Sequence, residues 1–380
     1  MIRLSGRAQA ARLDNPLHPD IWRVCSAHEQ PSSLPLACLV ADGEVASPGH
    51  RLYLTRNPDS QPPGPTVQLP DELAHVGADD IISVASDGRR VTVVWKNTAT
   101  HNSLLLTEQC DNYCLMCSQP PKTRDDFWLF GRAKRIISLL PPSAKSMGLT
   151  GGEPTLHADG LIDLLEHCRD TTPWLQLHLL SNGRRFADFD FAARYASVGH
   201  PDIMVGIPVY APEPGLHDFV VQASGAFDET IHGILNLASL GQRIEIRIVV
   251  QRHTVPVLRD LAVFISRNLP FVEQVALMGL EMTGLARPNS AEVWIDPTDY
   301  QEELSEATRT LAYANITTRI YNHQLCVLDR SLWPFAVRSI SDWKNDYLEL
   351  CQDCAVREDC GGVFTTSGQR LSQHLRPMRQ

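Results

Sequence analysis

Basic charge is in short supply along this chain: 34 Lys and Arg stand against 44 Asp and Glu, for a formal net charge of -10. A broad nucleic-acid or anionic-membrane footprint needs a basic face, so neither kind of partner is expected beyond a local groove. Also missing is any run of ~20 apolar residues, the length a membrane-spanning helix needs. The opening MIRLSGRAQAARLDNP lacks the apolar core of an export signal. These absences lead us to expect a cytoplasmic protein in a reducing compartment. Disulfides are rare there, and cysteines serve as metal ligands or inert core residues. No internal repeat and no low-complexity tract interrupts the 380 residues, of which 43% are hydrophobic. That length suits one large core with one or two smaller domains.

The chain divides into three. Residues 1–100 read as a small β-rich domain with a proline-rich break, NPDSQPPGPTVQLP, followed by DDIISVASDGRRVTVVW, whose alternation around Asp87-Gly88 signals a hairpin. Over residues 104–323, short apolar strands (SLLLT, KSMGLT, LQLHLLSN, DIMVGIPVY, RIEIRIVVQ, EQVALMGL) alternate with helical patterns such as DDFWLFGRAKRIISLL and VPVLRDLAVFISRN. Six strands with helical crossovers imply parallel, right-handed βαβ units. The economical closure is a partial (β/α)6 barrel of the TIM type, with reactive loops at the C-terminal ends of the strands. The fold class is therefore α/β, and residues 324–380 form a cysteine-rich tail.

Ten cysteines are unevenly placed, and three crowd into CDNYCLMC as Cys110, Cys114 and Cys117, in the loop after the first barrel strand. Three thiolates can hold three irons of a 4Fe-4S cluster and leave the fourth iron open to an exogenous ligand. A structural zinc site wants a fourth protein ligand, and none stands nearby in sequence.

With TGGEPT at residues 150–155, just after the second strand, this triplet resembles the radical S-adenosylmethionine (SAM) superfamily over roughly residues 104–323. In TGGEPT, Gly151 and Gly152 permit positive φ and close backbone approach, while Pro154 holds Glu153 extended. The resemblance implies that Glu153 serves the ammonium of SAM, directly or through neighbouring backbone groups. It also implies that the open iron chelates SAM, and that reductive cleavage yields a 5′-deoxyadenosyl radical that abstracts hydrogen from a substrate. The residue before the last cysteine, often aromatic in the family and set near adenine, is here Met116, a polarizable substitute.

Strand alternation divides barrel-lining from helix-facing residues. In RIEIRIVVQ the isoleucines should face the helices while Glu245 and Arg247 face the lumen. Arg247 is then a candidate for the SAM carboxylate or a member of an internal pair with Glu245. Gln176, His178 and Asn182 should also point inward, Asn182 where the family carries a Ser/Thr-Asn-Gly turn near SAM. Met204, Gly206, Pro208 and Tyr210 form a further inward set, whose small residues would leave room for a cofactor. The loops carrying His217, Asp218 and Glu281 should border the pocket.

In the tail, Cys351-x2-Cys354-x5-Cys360 with Cys326 upstream makes a four-thiolate set resembling the Twitch and SPASM auxiliary-cluster domains. One closed iron-sulfur cluster fits, with zinc as the rival. Cys25, Cys38 and Cys168 stand alone, and Cys168 reads as an inert packed residue.

The linked details CDNYCLMCSQPPK, GLTGGEPTL, LLSNG and ALMGLEMTGLARPN, with the β domain before them, are similar to a narrower family, the His-Xaa-Ser system radical SAM maturases of the HxsC type. That similarity implies a ribosomally made precursor peptide with His-Xaa-Ser repeats as substrate, a paired radical SAM maturase, and a reducing electron donor. Two other readings use the same core: another radical SAM enzyme, sulfatase-maturing or RNA-modifying, and a non-catalytic iron-sulfur scaffold or electron-transfer partner.

Overall fold

The computed structural model describes residues 4–13, 15–18, 20–338, 345–364 and 370–379. Two large sheets organise it. The N-terminal sheet comprises β1 (Ser5–Arg7), β2 (Ala10–Arg12), β3 (Ile21–Ser26), β4 (Leu36–Val40), β5 (Leu52–Thr55), β6 (Thr66–Gln68), β7 (Ile81–Val84) and β8 (Arg90–Trp95) in the order β1-β8-β7-β3-β4-β5-β6-β2. The hairpin read at Asp87-Gly88 joins β7 to β8 antiparallel, and Gly88 sits at φ 71°, a left-handed turn conformation that a side chain disfavours. The neighbouring β3, β4, β5 and β6 pair in parallel.

The second sheet has seven strands where six were expected: β9 (Ser103–Thr107), β10 (Ser146–Gly151), β11 (Gln176–Leu180), β12 (Ile203–Pro208), β13 (Arg243–Val250), β14 (Gln274–Gly279) and β15 (Thr317–Tyr321). All neighbours are parallel, and the spatial order follows the sequence. The extra strand, TTRIY, is an edge strand that alternates exposed and buried residues and lacks the apolar run of its neighbours.

The helices are α1 (Trp128–Ile137), α2 (Ala158–Thr171), α3 (Phe189–Ser197), α4 (Pro214–Val221), α5 (Ala226–Ser239), α6 (Leu258–Asn268), α7 (Ser290–Val293) and α8 (Gln301–Tyr313). Right-handed crossovers between strands laid down in sequential order place the covering helices on one face, which leaves the other face as a lumen. Burial agrees: Leu177, Leu179, Val205, Ile207, Ile244, Ile246 and Ile248 are buried in the helix-side core, whereas His178, Met204, Pro208 and Arg247 on the alternate face are only partly covered. Burying each such aliphatic side chain contributes roughly 1.5–3 kcal/mol. The same core takes in Ile21, Ile81 and Trp95, so the N-terminal sheet packs against the barrel-like unit. Among the described residues no helix is long and apolar enough to cross a membrane.

Candidate functional site

The three clustered cysteines lie on an extended loop fixed at both ends by its backbone. Where β9 ends, buried Asp126 accepts from the Thr107 hydroxyl at 2.8 Å and the Glu108 N–H at 2.5 Å, which turns the chain out of the sheet. Beyond Cys110, the N–H groups of Tyr113 and Leu115 donate to the carbonyls of Val221 and Val220 at the end of α4. The Cys117 carbonyl accepts from Leu285 N–H at 2.8 Å, and Asn289 Nδ2 donates to Leu115 O. Gly284 is required there: at φ 52° it sits so close that a Cβ would stand 2.2 Å from the Cys117 carbonyl oxygen. The loop of Glu281 thus touches the cysteine loop, whereas the expected loop of His217 and Asp218 is instead largely helix α4, whose last two residues make the contact.

Met116 does not line an open pocket. It is buried with Tyr210, Val220, Met282 and Val293, anchoring the loop between the ends of β12 and β14. Burial drives the cysteine thiols upward, Cys110 to about 12, with Cys114 and Cys117 raised for the same reason. An iron-sulfur core supplies the positive charge that deprotonates such thiols. Asn112 N–H already points at Cys110 Sγ, 3.4 Å away, the kind of hydrogen bond that tunes cluster thiolates.

Gly151 and Gly152 are selected by proximity to this loop. A Cβ on Gly151 would lie 2.3 Å from Thr107 O, and one on Gly152 would lie 2.0 Å from Gln109 O. The β9–β10 register shifts between Thr150 and Gly151, and the motif continues the ladder past the bulge: Gly152 N–H donates to Thr107 O at 2.8 Å and Glu153 N–H to Gln109 O at 2.7 Å. The glycine pair therefore holds the residue just before Cys110. Gly152→Ala is expected to push Gln109 and Cys110 outward at a cost of about 2–3 kcal/mol. Iron bound after anaerobic reconstitution should fall well below wild type, and equal loading would contradict this role.

Glu153 is placed differently from the direct route open to it in sequence. Extended at φ -133°, with Pro154 opening a short 3-10 turn, it is 1% exposed and aims its carboxylate into the protein. Oε1 accepts from Thr155 N–H (2.9 Å), the Thr155 hydroxyl (2.6 Å) and the Ser181 hydroxyl (2.9 Å), while Oε2 accepts from Asn182 N–H (2.5 Å). Burial pushes its pKa up and these donors pull it back. Its side chain thereby couples the turn after β10 to the Ser-Asn-Gly turn after β11. Asn182 carries the coupling onward, donating through Nδ2 to Asp111 Oδ1 at 2.5 Å.

Arg184, unassigned from sequence, completes the clamp. Its Nη1 donates to Asp111 O and Asn112 Oδ1, both at 2.8 Å, and its Nε to Glu229 Oε2 at 2.6 Å. Its position two residues after Asn182, beside the family-like turn, was the only sequence signal.

In the lumen, Arg247 donates to Glu245 Oε1 at 2.6 Å and points Nη2 at Met278 Sδ. Gln274 also donates to Glu245, and His178 Nε2 lies 3.4 Å from Oε1. The internal-pair arrangement is thus the one present. Gly206 leaves no free space, because a Cβ there would meet His178 Nε2 at 2.8 Å and Arg247 Cδ at 3.0 Å. Gln176 lies at the exposed N-terminal end of β11.

Burial alone would raise the Glu245 carboxyl, but the contact with His178 and the Arg247 charge outweigh it and hold it at about 2. A carboxyl depressed on folding stabilises the protein above its unfolded pKa, and that stability is lost as pH falls through the folded value. Wild type should therefore exceed Glu245→Gln in stability by about 3 kcal/mol near neutral pH. The margin should shrink between pH 4.5 and about 2. Thermal unfolding of both proteins across that range checks it, and a pH-independent margin would contradict it.

His217 is buried, accepts from Tyr210 N–H at 3.3 Å, and is held at about 4 by burial, while Asp218 caps α5 through the N–H groups of Gly225 and Phe227. Both have structural employment. Glu281 lies in the loop after β14 that packs on the cysteines, its carbonyl accepting from Thr283 N–H.

The distal cysteines also converge. Burial raises the thiols of Cys326, in a short turn after β15, and of Cys351, and neighbouring cysteines add to it: Cys360 and Cys351 at Cys326, Cys360 and Cys354 at Cys351. Gly362 N–H points at Cys360 Sγ (3.5 Å) and Met378 N–H at Cys354 Sγ (3.4 Å). Cys168 is buried inside α2, in agreement with a packed role. Cys25 and Cys38 do not stand alone: parallel register brings them side by side near His50.

Both cysteine sets fit iron-sulfur chemistry. Three thiolates on one loop match a cluster with an open iron, and the four distal thiolates match a closed iron-sulfur cluster or a zinc ion. The N–H donors facing Cys110, Cys354 and Cys360 suit sulfur ligands of either metal.

Residues 104–258 match the family model of the radical SAM superfamily. No curated protein matches the chain. Among solved structures, it is similar to SuiB of Streptococcus suis bound to S-adenosylmethionine (15% identity, TM-score 0.46, covering 58% of this chain and 49% of that one). It is also similar to anSMEcpe with bound AdoMet and Cp18Cys peptide (16%, 0.45, 57% and 62%). A third is methylornithine synthase PylB (12%, 0.41, 58% and 64%). The chain thus spans about half the length of SuiB.

Proposed function

We propose that this enzyme, which carries a radical SAM domain in residues 104–258, modifies a ribosomally made precursor peptide bearing His-Xaa-Ser repeats, together with a paired maturase and a reducing electron donor. Cys110, Cys114 and Cys117 would hold the 4Fe-4S cluster, and Cys326, Cys351, Cys354 and Cys360 a second one. When bound, the cluster and SAM supply reductive cleavage and a 5′-deoxyadenosyl radical. The protein's part is to hold the cysteine loop against the C-terminal edge of the sheet and to present backbone groups of the Gly151-Gly152-Glu153-Pro154 segment to SAM. Glu153 acts behind that surface, and Asn182 and Arg184 transmit its hold to Asp111.

The observation that carries the reading is the direct ladder between Gly152-Glu153 and Thr107-Gln109, which joins the two sequence motifs into one rim. The peptide class rests on the HxsC-type resemblance of CDNYCLMCSQPPK, GLTGGEPTL and ALMGLEMTGLARPN. Co-production of the enzyme and a paired maturase with a small His-Xaa-Ser-repeat protein tests it. A mass change in the precursor that vanishes with Cys114→Ala is expected, and an unmodified precursor beside fully loaded enzymes would overturn the substrate assignment.

A further inference from the structure

The N-terminal sheet has two buried faces of unequal strength. One is lined by Trp22, Val24, Ala37, Leu52, Leu54 and further aliphatics; the other carries a much smaller cluster, Cys25, Ala27, Leu36, Cys38, Val40 and Tyr53. Within that smaller face, parallel pairing of β3 with β4 sets Cys25 directly beside Cys38. The chain before β5 then brings in His50, and the three ligand atoms lie within 4.8 Å of one another with all three residues buried. Cys25 Sγ is 4.0 Å from His50 Nδ1.

The imidazole is oriented rather than merely packed. His50 Nε2 lies 2.9 Å from the Glu29 carbonyl oxygen, which accepts only if Nε2 carries the proton. Nδ1 is then the unprotonated nitrogen and presents its lone pair toward the two sulfurs. A carbonyl behind the far ring nitrogen is the support that metal-bound histidines commonly have. The backbone around His50 is fixed as well: its N–H donates to Tyr53 Oη at 3.2 Å, and Tyr53 Oη donates to Ser47 O at 3.0 Å.

We infer that Cys25, Cys38 and His50 form a zinc site in the N-terminal domain, separate from both iron-sulfur cysteine sets. Zinc binds thiolates at about 2.3 Å and imidazole at about 2.0–2.1 Å, which places tetrahedral ligand atoms roughly 3.6–3.8 Å apart, a small contraction from the present spacing. Binding releases the two thiol protons, and two thiolates neutralise the divalent ion, so the buried site carries no net charge. No fourth Cys, His, Asp or Glu joins the group among the described residues, which leaves the fourth position to water or another exogenous ligand. Three protein ligands with an exchangeable fourth position make this an open zinc site rather than a closed structural one.

The test uses the full chain, prepared anaerobically in zinc-supplemented medium, with zinc and iron measured together in wild type, Cys38→Ala and His50→Ala. Each variant is expected to lose about one zinc per chain with iron unchanged. Equal zinc in all three proteins would overturn the site, as would a wild type whose mass and peptide map show a Cys25–Cys38 disulfide. Should the variants fail to fold, wild type alone decides. Peptide-resolved alkylation of Cys25 and Cys38 should rise at least several-fold after zinc chelation, whereas chelator-independent labelling would refute the proposal.

Discussion

Replacing Cys114 by alanine is expected to strip the barrel cluster, about four irons per chain, while the metal held by the distal cysteines stays. Cys114 sits at the centre of the triplet, close enough to Cys110 and Cys117 for both charges to raise its thiol. The two remaining thiolates sit on a loop tied down at Gln109, Leu115 and Cys117, which holds them where the three-thiolate set placed them. Because the loop backbone is bonded to Val220, Val221 and Leu285, the protein should remain folded. SAM cleavage should then fall to background. Iron analysis and the visible spectrum of the reconstituted variant provide the check: unchanged iron with an intact spectrum would remove the triplet from the site.

The second large effect is expected at Glu153, where alanine should act mainly on stability. The substitution leaves the N–H groups of Thr155 and Asn182 and the hydroxyls of Thr155 and Ser181 without their buried acceptor. Each unmet buried donor costs about 1–3 kcal/mol, partly relieved by rearrangement, for a total of roughly 3–5 kcal/mol. Glu153→Gln keeps the shape but offers one donating group to a site composed of donors, so it too should be destabilised. Both should weaken SAM binding, since the turn that presents the backbone is the one released. Anaerobic thermal unfolding with SAM titration decides, and a variant matching wild type in both would contradict the positioning role.

These expectations differ in how far the sequence foretold them. The six strands drawn from apolar runs coincide with β9 to β14, and lumen alternation in RIEIRIVVQ separated Glu245 and Arg247 from the isoleucines because helices cover one face only. TTRIY carries no such signal because an edge strand needs no continuous apolar run. The glycines of TGGEPT were legible as sites of close approach, but their partner, the backbone from Thr107 to Gln109, lies some 40 residues earlier and is found only through strand register. Sequence spacing likewise gave no hint that Glu153 would meet Ser181 and Asn182, or that Arg184 would grip Asp111. Cys25 and Cys38 are separated by a loop whose length hides their pairing, which only the parallel register of β3 with β4 reveals.

Radical SAM chemistry at Cys110, Cys114 and Cys117 is the activity on which the other assignments rest. The most direct test reconstitutes the protein anaerobically with iron and sulfide, adds SAM and dithionite, and quantifies 5′-deoxyadenosine against the variant with all three cysteines replaced by alanine. Product is expected from wild type, with none above background from the variant. Equal product from both, or a loaded wild type that neither binds nor cleaves SAM even with precursor and paired maturase present, would contradict it.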